Sequence, residues 1–194
     1  MAELSKVQFG LSKAYYAVIN NDGTYGTPVA LPGAVSLTLN REGSEPEKFY
    51  ADNITYFVAP AVNSGYTGTL TLAKIPAQFM IDVLGEVKDD NGMQVEIADA
   101  SSKSFALLYQ VEGDADEKRY VFFNCTAQRS TAGANTKSDS TTPDTQDLEF
   151  TAIGKDFENF GGNGITKNIV KGSAYTADSA FAGWYTAVPV PTKA

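Results

Sequence analysis

LPGAVSLTLNREGSEPEKFYADNITYFVA, residues 31–59, followed by NSGYTGTLTLAKIPAQFMIDVLGEV, residues 63–87, reads as strand, acidic turn, strand, strand, helix. Val35, Leu37 and Leu39 alternate with Ser36, Thr38 and Asn40, and Leu70 and Leu72 alternate with Thr69 and Thr71. That period of two gives each strand one apolar and one polar face. Residues 41–48 read as a charged loop between the first two strands. From residue 75 the spacing changes: Phe79, Met80, Val83, Leu84 and Val87 share one face of a helix, Pro76 suits its first turn and Gly85 its end.

Outward from this stretch, strands continue to dominate. AYYAVI, residues 14–19, forms a first strand ending at Asn20-Asn21-Asp22-Gly23, and residues 25–31 lead back toward the second. Residues 105–112 and 120–127 form a hairpin across the turn formers of residues 113–116. Residues 129–146, RSTAGANTKSDSTTPDTQ, hold no apolar side chain larger than alanine and cannot offset the entropy of ordering, so a mobile polar insertion is expected. Leu148, Phe150 and Ala152 then resume alternation as a closing strand. Gly161-Gly162-Asn163-Gly164 reads as a hinge before an aromatic-rich ending with Tyr175, Phe181, Trp184, Tyr185 and Val188. Those groups need a surface to cover, either on their own domain or, with Trp184 and Tyr185 as anchors, on the next copy.

Composition excludes several classes of chemistry. With no histidine and one cysteine, histidine triads, Cys-His dyads and ordinary zinc ligand sets lack their parts. Cys125 sits in a strand pattern with nothing to activate it and reads as a small buried hydrophobe. FGGNGITK lacks P-loop spacing, and the acidic turns at residues 89–92 and 114–116 lack the alternate ligands and terminal glutamate of a calcium loop. Acids are plentiful, but no spacing selects the acid and base of a glycosidase. No enzyme, cofactor or metal is expected. Residues 1–154 carry 11 basic and 20 acidic side chains, net −9, whereas residues 155–194 carry 4 and 3, net +1. An acidic body repels phosphates, which disfavours tight nucleic-acid binding. MAELSKVQFG has no apolar secretory core, and no run approaches a membrane span, so synthesis in a cytoplasm and no membrane binding are expected.

The order of words LPGAVSL, the EGxxxxFYADN run of residues 42–53, NSGYTGTLTLAxIP and DVLGEV resembles the major tail protein, the tail-tube subunit, of long non-contractile-tailed bacteriophages of Gram-positive hosts. The resemblance covers roughly residues 10–153 by ordered words. It implies an antiparallel β-sandwich or barrel with one flanking helix, as a tube domain over residues 1–154 and a C-terminal extension or arm over 155–194, with no separate decoration domain. It also implies a structural virion protein of the phage tail, assembled in the host cytoplasm. Such subunits form hexameric rings that stack into a tube, with DNA only in passive transit. The partners implied are the chain itself, a tape measure protein, a tail terminator and distal tail or initiator proteins. For residues, the resemblance places the acidic loop with Glu42, Glu45, Glu47 and Lys48 at an assembly contact or near the bore. It further implies that the polar insertion, with Lys137, Asp139 and Asp144, orders against neighbouring subunits. A carbohydrate-binding or adhesin-like β-sandwich is the alternative from another class.

Overall fold

The computed structural model describes residues 5–113, 115–130, 133, 143–158, 160 and 166–192. It is mainly antiparallel β with one short helix. In chain order the elements are β1 (Gln8–Val18), β2 (Val29–Ala30), β3 (Ala34–Gly43), β4 (Glu47–Ala51), β5 (Ile54–Ala59), β6 (Asn63–Leu72), α1 (Ala77–Asp82), β7 (Val87–Lys88), β8 (Gln94–Val95), β9 (Phe105–Gly113), β10 (Lys118–Ala127), β11 (Gln146–Ile153), β12 (Lys155–Phe157), β13 (Lys167–Ile169) and β14 (Lys171–Tyr175). The main sheet runs β2-β1-β9-β10-β11-β6-β3. Its first and last strands are consecutive in the chain, and β1 comes into contact with β3, so the sheet rolls around its contents. One edge of β10 changes partner along its length: residues 118–122 pair with β14 and residues 124–127 with β11.

Two apolar clusters follow from this roll. Inside it, Tyr16, Leu70, Leu72, Phe105, Leu107, Phe122, Leu148 and Phe150 pack with Ile75, Phe79 and Val83 from the helical segment. Phe79 meets Tyr16 and Phe105 edge-on, with ring centroids 4.9 and 5.4 Å away, the geometry that the aromatic quadrupole favours. Tyr16 donates its hydroxyl to Asp82 at 2.8 Å, which ties the helix to β1. On the outer face, Ala17, Ala106, Leu108, Val121 and Phe123 are covered by Phe157, Ala174, Trp184 and Val188. The middle strands are thus buried on both faces, which is why residues 105–109 form one unbroken apolar run.

Most of the expected elements are present: the first hairpin, the β9–β10 hairpin, the alternation of β6 and β11, and a buried Cys125. Four details differ. Val35 is exposed, because a register shift between Ala34 and Ser36 turns it out of the alternation that leaves Leu37 and Leu39 half-buried. Residues 41–48 are not one loop. Pairing continues to Gly43 opposite Asn63 and restarts at Glu47 opposite Ala59, so only residues 44–46 turn. The helix ends at Asp82, five residues before Val87, which lies exposed in β7; Gly85, with φ +78°, takes the left-handed conformation that ends helices. Pro76 stands at the N-cap rather than inside the first turn. Lys137, Asp139, the core of the polar insertion and residues 161–164 of the expected hinge lie outside the described residues.

Strand direction alternates strictly across the sheet, so connections leave from two opposite ends. Residues 44–62 depart where β3 ends and β6 begins. Residues 73–104 depart where β6 ends and β9 begins. This division positions the surfaces described next.

Candidate assembly surface

β4 and β5 form a two-stranded sheet of their own, attached to the main sheet only through the ends of β3 and β6. At the attachment, an added Cβ on Gly43 would lie 2.0 Å from the Val62 carbonyl oxygen, so only glycine admits this close approach. Ser44 accepts the Val62 N–H at 3.2 Å. At the tip, Asp52 and Asn53 both have positive φ, +49° and +61°, the pair of conformations a tight two-residue hairpin turn needs. Between these points a register shift after Phe49 gives β5 an additional residue and breaks strict alternation. Phe49, Tyr50, Ile54, Tyr56, Phe57 and Val58 are all exposed, Tyr56 by 71% and Phe57 by 60%. Consecutive side chains in a strand point to opposite faces. The neighbours Phe49-Tyr50 and Tyr56-Phe57-Val58 therefore make the hairpin apolar on both sides.

The charged residues singled out from the sequence surround the base of this hairpin. Glu42 lies at the end of β3 and accepts from the Thr67 hydroxyl at 3.1 Å. Glu45 sits in the turn, and Glu47 and Lys48 open β4; all four are exposed. Asp144 is exposed at the opposite end of the sheet, just before β11 begins beside the end of β6. The structure thus groups Glu42, Glu45, Glu47 and Lys48 at one end and sets Asp144 apart from them.

Trp184 and Tyr185 occupy a different environment. Trp184 is only 2% exposed, and its Nε1 donates to the Tyr120 carbonyl at 3.3 Å. Tyr185 stacks on Tyr15 with centroids 4.4 Å apart, and burial pushes its hydroxyl pKa above the usual range. Arg119 sits against both sides of this segment. Its guanidinium lies 3.6 Å from the Phe181 ring centroid and 4.7 Å from that of Tyr185, while Nε donates to Gln110 at 2.9 Å. The C-terminal segment is seated on its own chain, and Trp184 is not displayed as an anchor for another.

A groove of about 570 Å³ is lined by Gly23, Thr24, Tyr25, Lys155, Phe157 and Val190 among others. Lys155 is held there, donating to the Gly23 carbonyl and lying 4.1 Å from the Tyr25 ring centroid, and burial lowers its pKa. Of the groove's carboxylates, Asp156 accepts from Asn168 at 2.8 Å. Among the described residues, no group of three or more His, Cys, Asp or Glu side chains could hold a metal ion. No described helix is long and apolar enough to cross a membrane.

Residues 6–189 match the model of the family described as phage tail tube protein. The chain belongs to that family. It is a structural component of the phage tail, and the family's role implies self-association into that tail. The family is one of structural tail proteins rather than of enzymes. No curated protein matches the chain closely enough to add a further relative. For this tail tube protein the sequence reading singled out the charges of residues 42–48, which lie at the base of the β4–β5 hairpin. The apolar faces just beyond were missed, although FY at 49–50 and YFV at 56–58 signal them by breaking the two-residue period.

Proposed function

We propose that this tail tube protein closes head-to-tail into hexameric rings and that the rings stack into a hollow conduit through which DNA passes during delivery to the host. The observation that carries the reading is the β4–β5 hairpin, which has aromatic groups on both faces and, among the described residues, is paired with no other strand. Six large apolar side chains on one projecting element amount to an interface awaiting its partner. Ring closure and stacking are both heterologous contacts, in which one patch meets a different patch on the next copy. A hairpin with two apolar faces can touch two neighbours at once.

In this reading, Glu42, Glu45, Glu47 and Lys48 border the contact, and the net acidity of residues 1–154 keeps the passing DNA from adhering to the wall. The polar insertion, including Lys137, Asp139 and Asp144, contributes to the contact between rings. A tape measure protein sets tube length, and terminator and initiator proteins close the two ends; assembly takes place in the host cytoplasm. Residues 1–154 constitute the tube domain and 155–194 its extension.

The test replaces Phe49, Tyr56 and Phe57 together with serine. All three are exposed, so the melting temperature should stay within a few degrees of the parent. Electron micrographs of the concentrated parent, or of the parent seeded with tail initiation complexes, should show rings or tubes, and the variant should remain monomeric. Undiminished assembly by the variant would remove the hairpin from the contact. A parent that stays monomeric even when seeded would overturn the conduit itself.

A further inference from the structure

A second apolar hairpin, unexplained by the fold, lies at the opposite end of the sheet. Among the described residues β7 and β8 pair only with each other, Val87 opposite Val95 and Lys88 opposite Gln94. Their turn is firmly made: Asp89 Oδ1 accepts from the backbone of Asn91 at 3.0 Å and of Met93 at 2.7 Å, and the Asp89 N–H donates to the Met93 carbonyl at 2.9 Å. The base is fixed too. Arg129 donates to the Ile97 carbonyl at 2.8 Å and pairs with Glu96, and Glu86 accepts from Gln94. On this rigid platform Val87, Met93, Val95 and Ile97 are exposed, Met93 by 61%. An ordered turn and anchored base combined with four solvent-facing apolar side chains describe a surface shaped for a contact.

We infer that the β7–β8 hairpin receives the β4–β5 hairpin of a second copy. Three observations select this occupant. First, the two apolar hairpins leave the same sheet at opposite ends, one between β3 and β6 and the other between β6 and β9. Translating one copy along the strand direction brings the β4–β5 end of one against the β7–β8 end of the next, and such a contact repeats without limit. Second, β7–β8 is a poor partner for itself. Residues 86–99 hold the carboxylates of Glu86, Asp89, Asp90, Glu96 and Asp99 against Lys88 and the Arg129 that pairs with Glu96 at the base, so acids still outnumber cations. A two-fold pairing would bring these like charges together, which opposes association. Third, β4–β5 supplies what that platform lacks: residues 49–51 and 54–59 are entirely without charge. The inference rests on the reading of the chain as a stacking tube subunit, and identifies the end of the molecule that accepts the projecting hairpin.

Because the chain's one cysteine, Cys125, is buried, new surface thiols can be joined selectively. Phe57→Cys and Val95→Cys are made singly and together, mixed under assembly conditions, and treated with a short bis-maleimide. The mixture of single variants should give a covalent dimer several-fold in excess of that from either alone, and the double variant should give a ladder. Val95→Asp, at an exposed site, should keep its melting temperature while the stacked-tube fraction falls at least ten-fold. Tubes with no mixed dimer, and with Val95→Asp stacking normally, would overturn this contact and leave the tube reading intact. If cross-linking joins only like variants, the head-to-tail arrangement is wrong. If the parent never assembles, even when seeded, the tube reading falls and this contact with it.

Discussion

Arg119 shows how single side chains hold the outer layer in place. Its planar cation lies against Phe181 and Tyr185, donates to the Phe181 carbonyl and bonds Gln110, so one residue joins the C-terminal segment to β9 and β10. Lysine keeps the charge but not the flat fork. Arg119→Lys should therefore lower stability by about 1–2 kcal/mol, measured by urea unfolding followed through Trp184, the chain's single tryptophan. The buried acids make a second prediction at this scale. Burial raises the pKa of Tyr16, with Asp82 adding to it, and of Tyr109 and Cys125 above their ordinary values. Each stays protonated in the folded chain, so its contribution is complete below the unfolded pKa and declines as pH rises above it. Stability should hold through neutral pH, begin to fall near pH 9 as the unfolded thiol ionises, and steepen above pH 10. Each such group contributes a slope of about 1.4 kcal/mol per pH unit. Urea titrations across that window check it; a flat profile to pH 11 would contradict the burial of these groups.

Elements were legible in the sequence wherever one face is wet. β6 and β11 alternate cleanly because Leu70, Leu72, Leu148, Phe150 and Ala152 face the core while the residues between them do not, and the β9–β10 hairpin announces itself by its turn. Helix length was overread because Val87 kept the helical spacing, whereas Gly85 had already ended the helix. The two projecting hairpins were illegible as surfaces for a physical reason: apolar residues in a strand are ordinarily read as core, and only tertiary placement shows that these are exposed among the described residues. The C-terminal segment was ambiguous in the same way, since aromatic residues near a terminus fit either packing in cis or an arm. Its placement makes a firm prediction. β14 fills one stretch of the β10 edge, and Trp184 and Val188 cover Leu108, Val121 and Phe123. A chain ending at residue 164 loses both, leaving an unpaired strand edge beside an uncovered apolar face. It should be insoluble, or soluble only as a dye-binding species with no cooperative melt. A truncated chain that melts cooperatively within a few degrees of the parent would show that the segment is dispensable to the fold.

For the whole molecule, charge and apolar surface act against each other in association. Each copy carries a net charge of −8, so copies repel, while the hairpins supply attraction that salt does not screen. At about 20 mM salt the screening length is roughly 20 Å, comparable with the dimensions of the hairpins; at about 500 mM it falls to about 4 Å. Raising salt should therefore lower the concentration at which rings and tubes form, the opposite of an interface held by ion pairs. The same acidity makes a statement about DNA. A wall that released counterions to phosphates would bind DNA most tightly at low salt, whereas this chain should leave DNA unretarded in a gel at low salt, in free and assembled forms alike. Sedimentation velocity across the salt range, with a DNA mobility assay on the same samples, reads both expectations. Assembly weakened by salt would transfer the contact from the aromatic hairpins to charged residues such as Glu42, Glu45, Glu47 and Lys48, because only an interface made of opposite charges loses its attraction when the screening length shrinks.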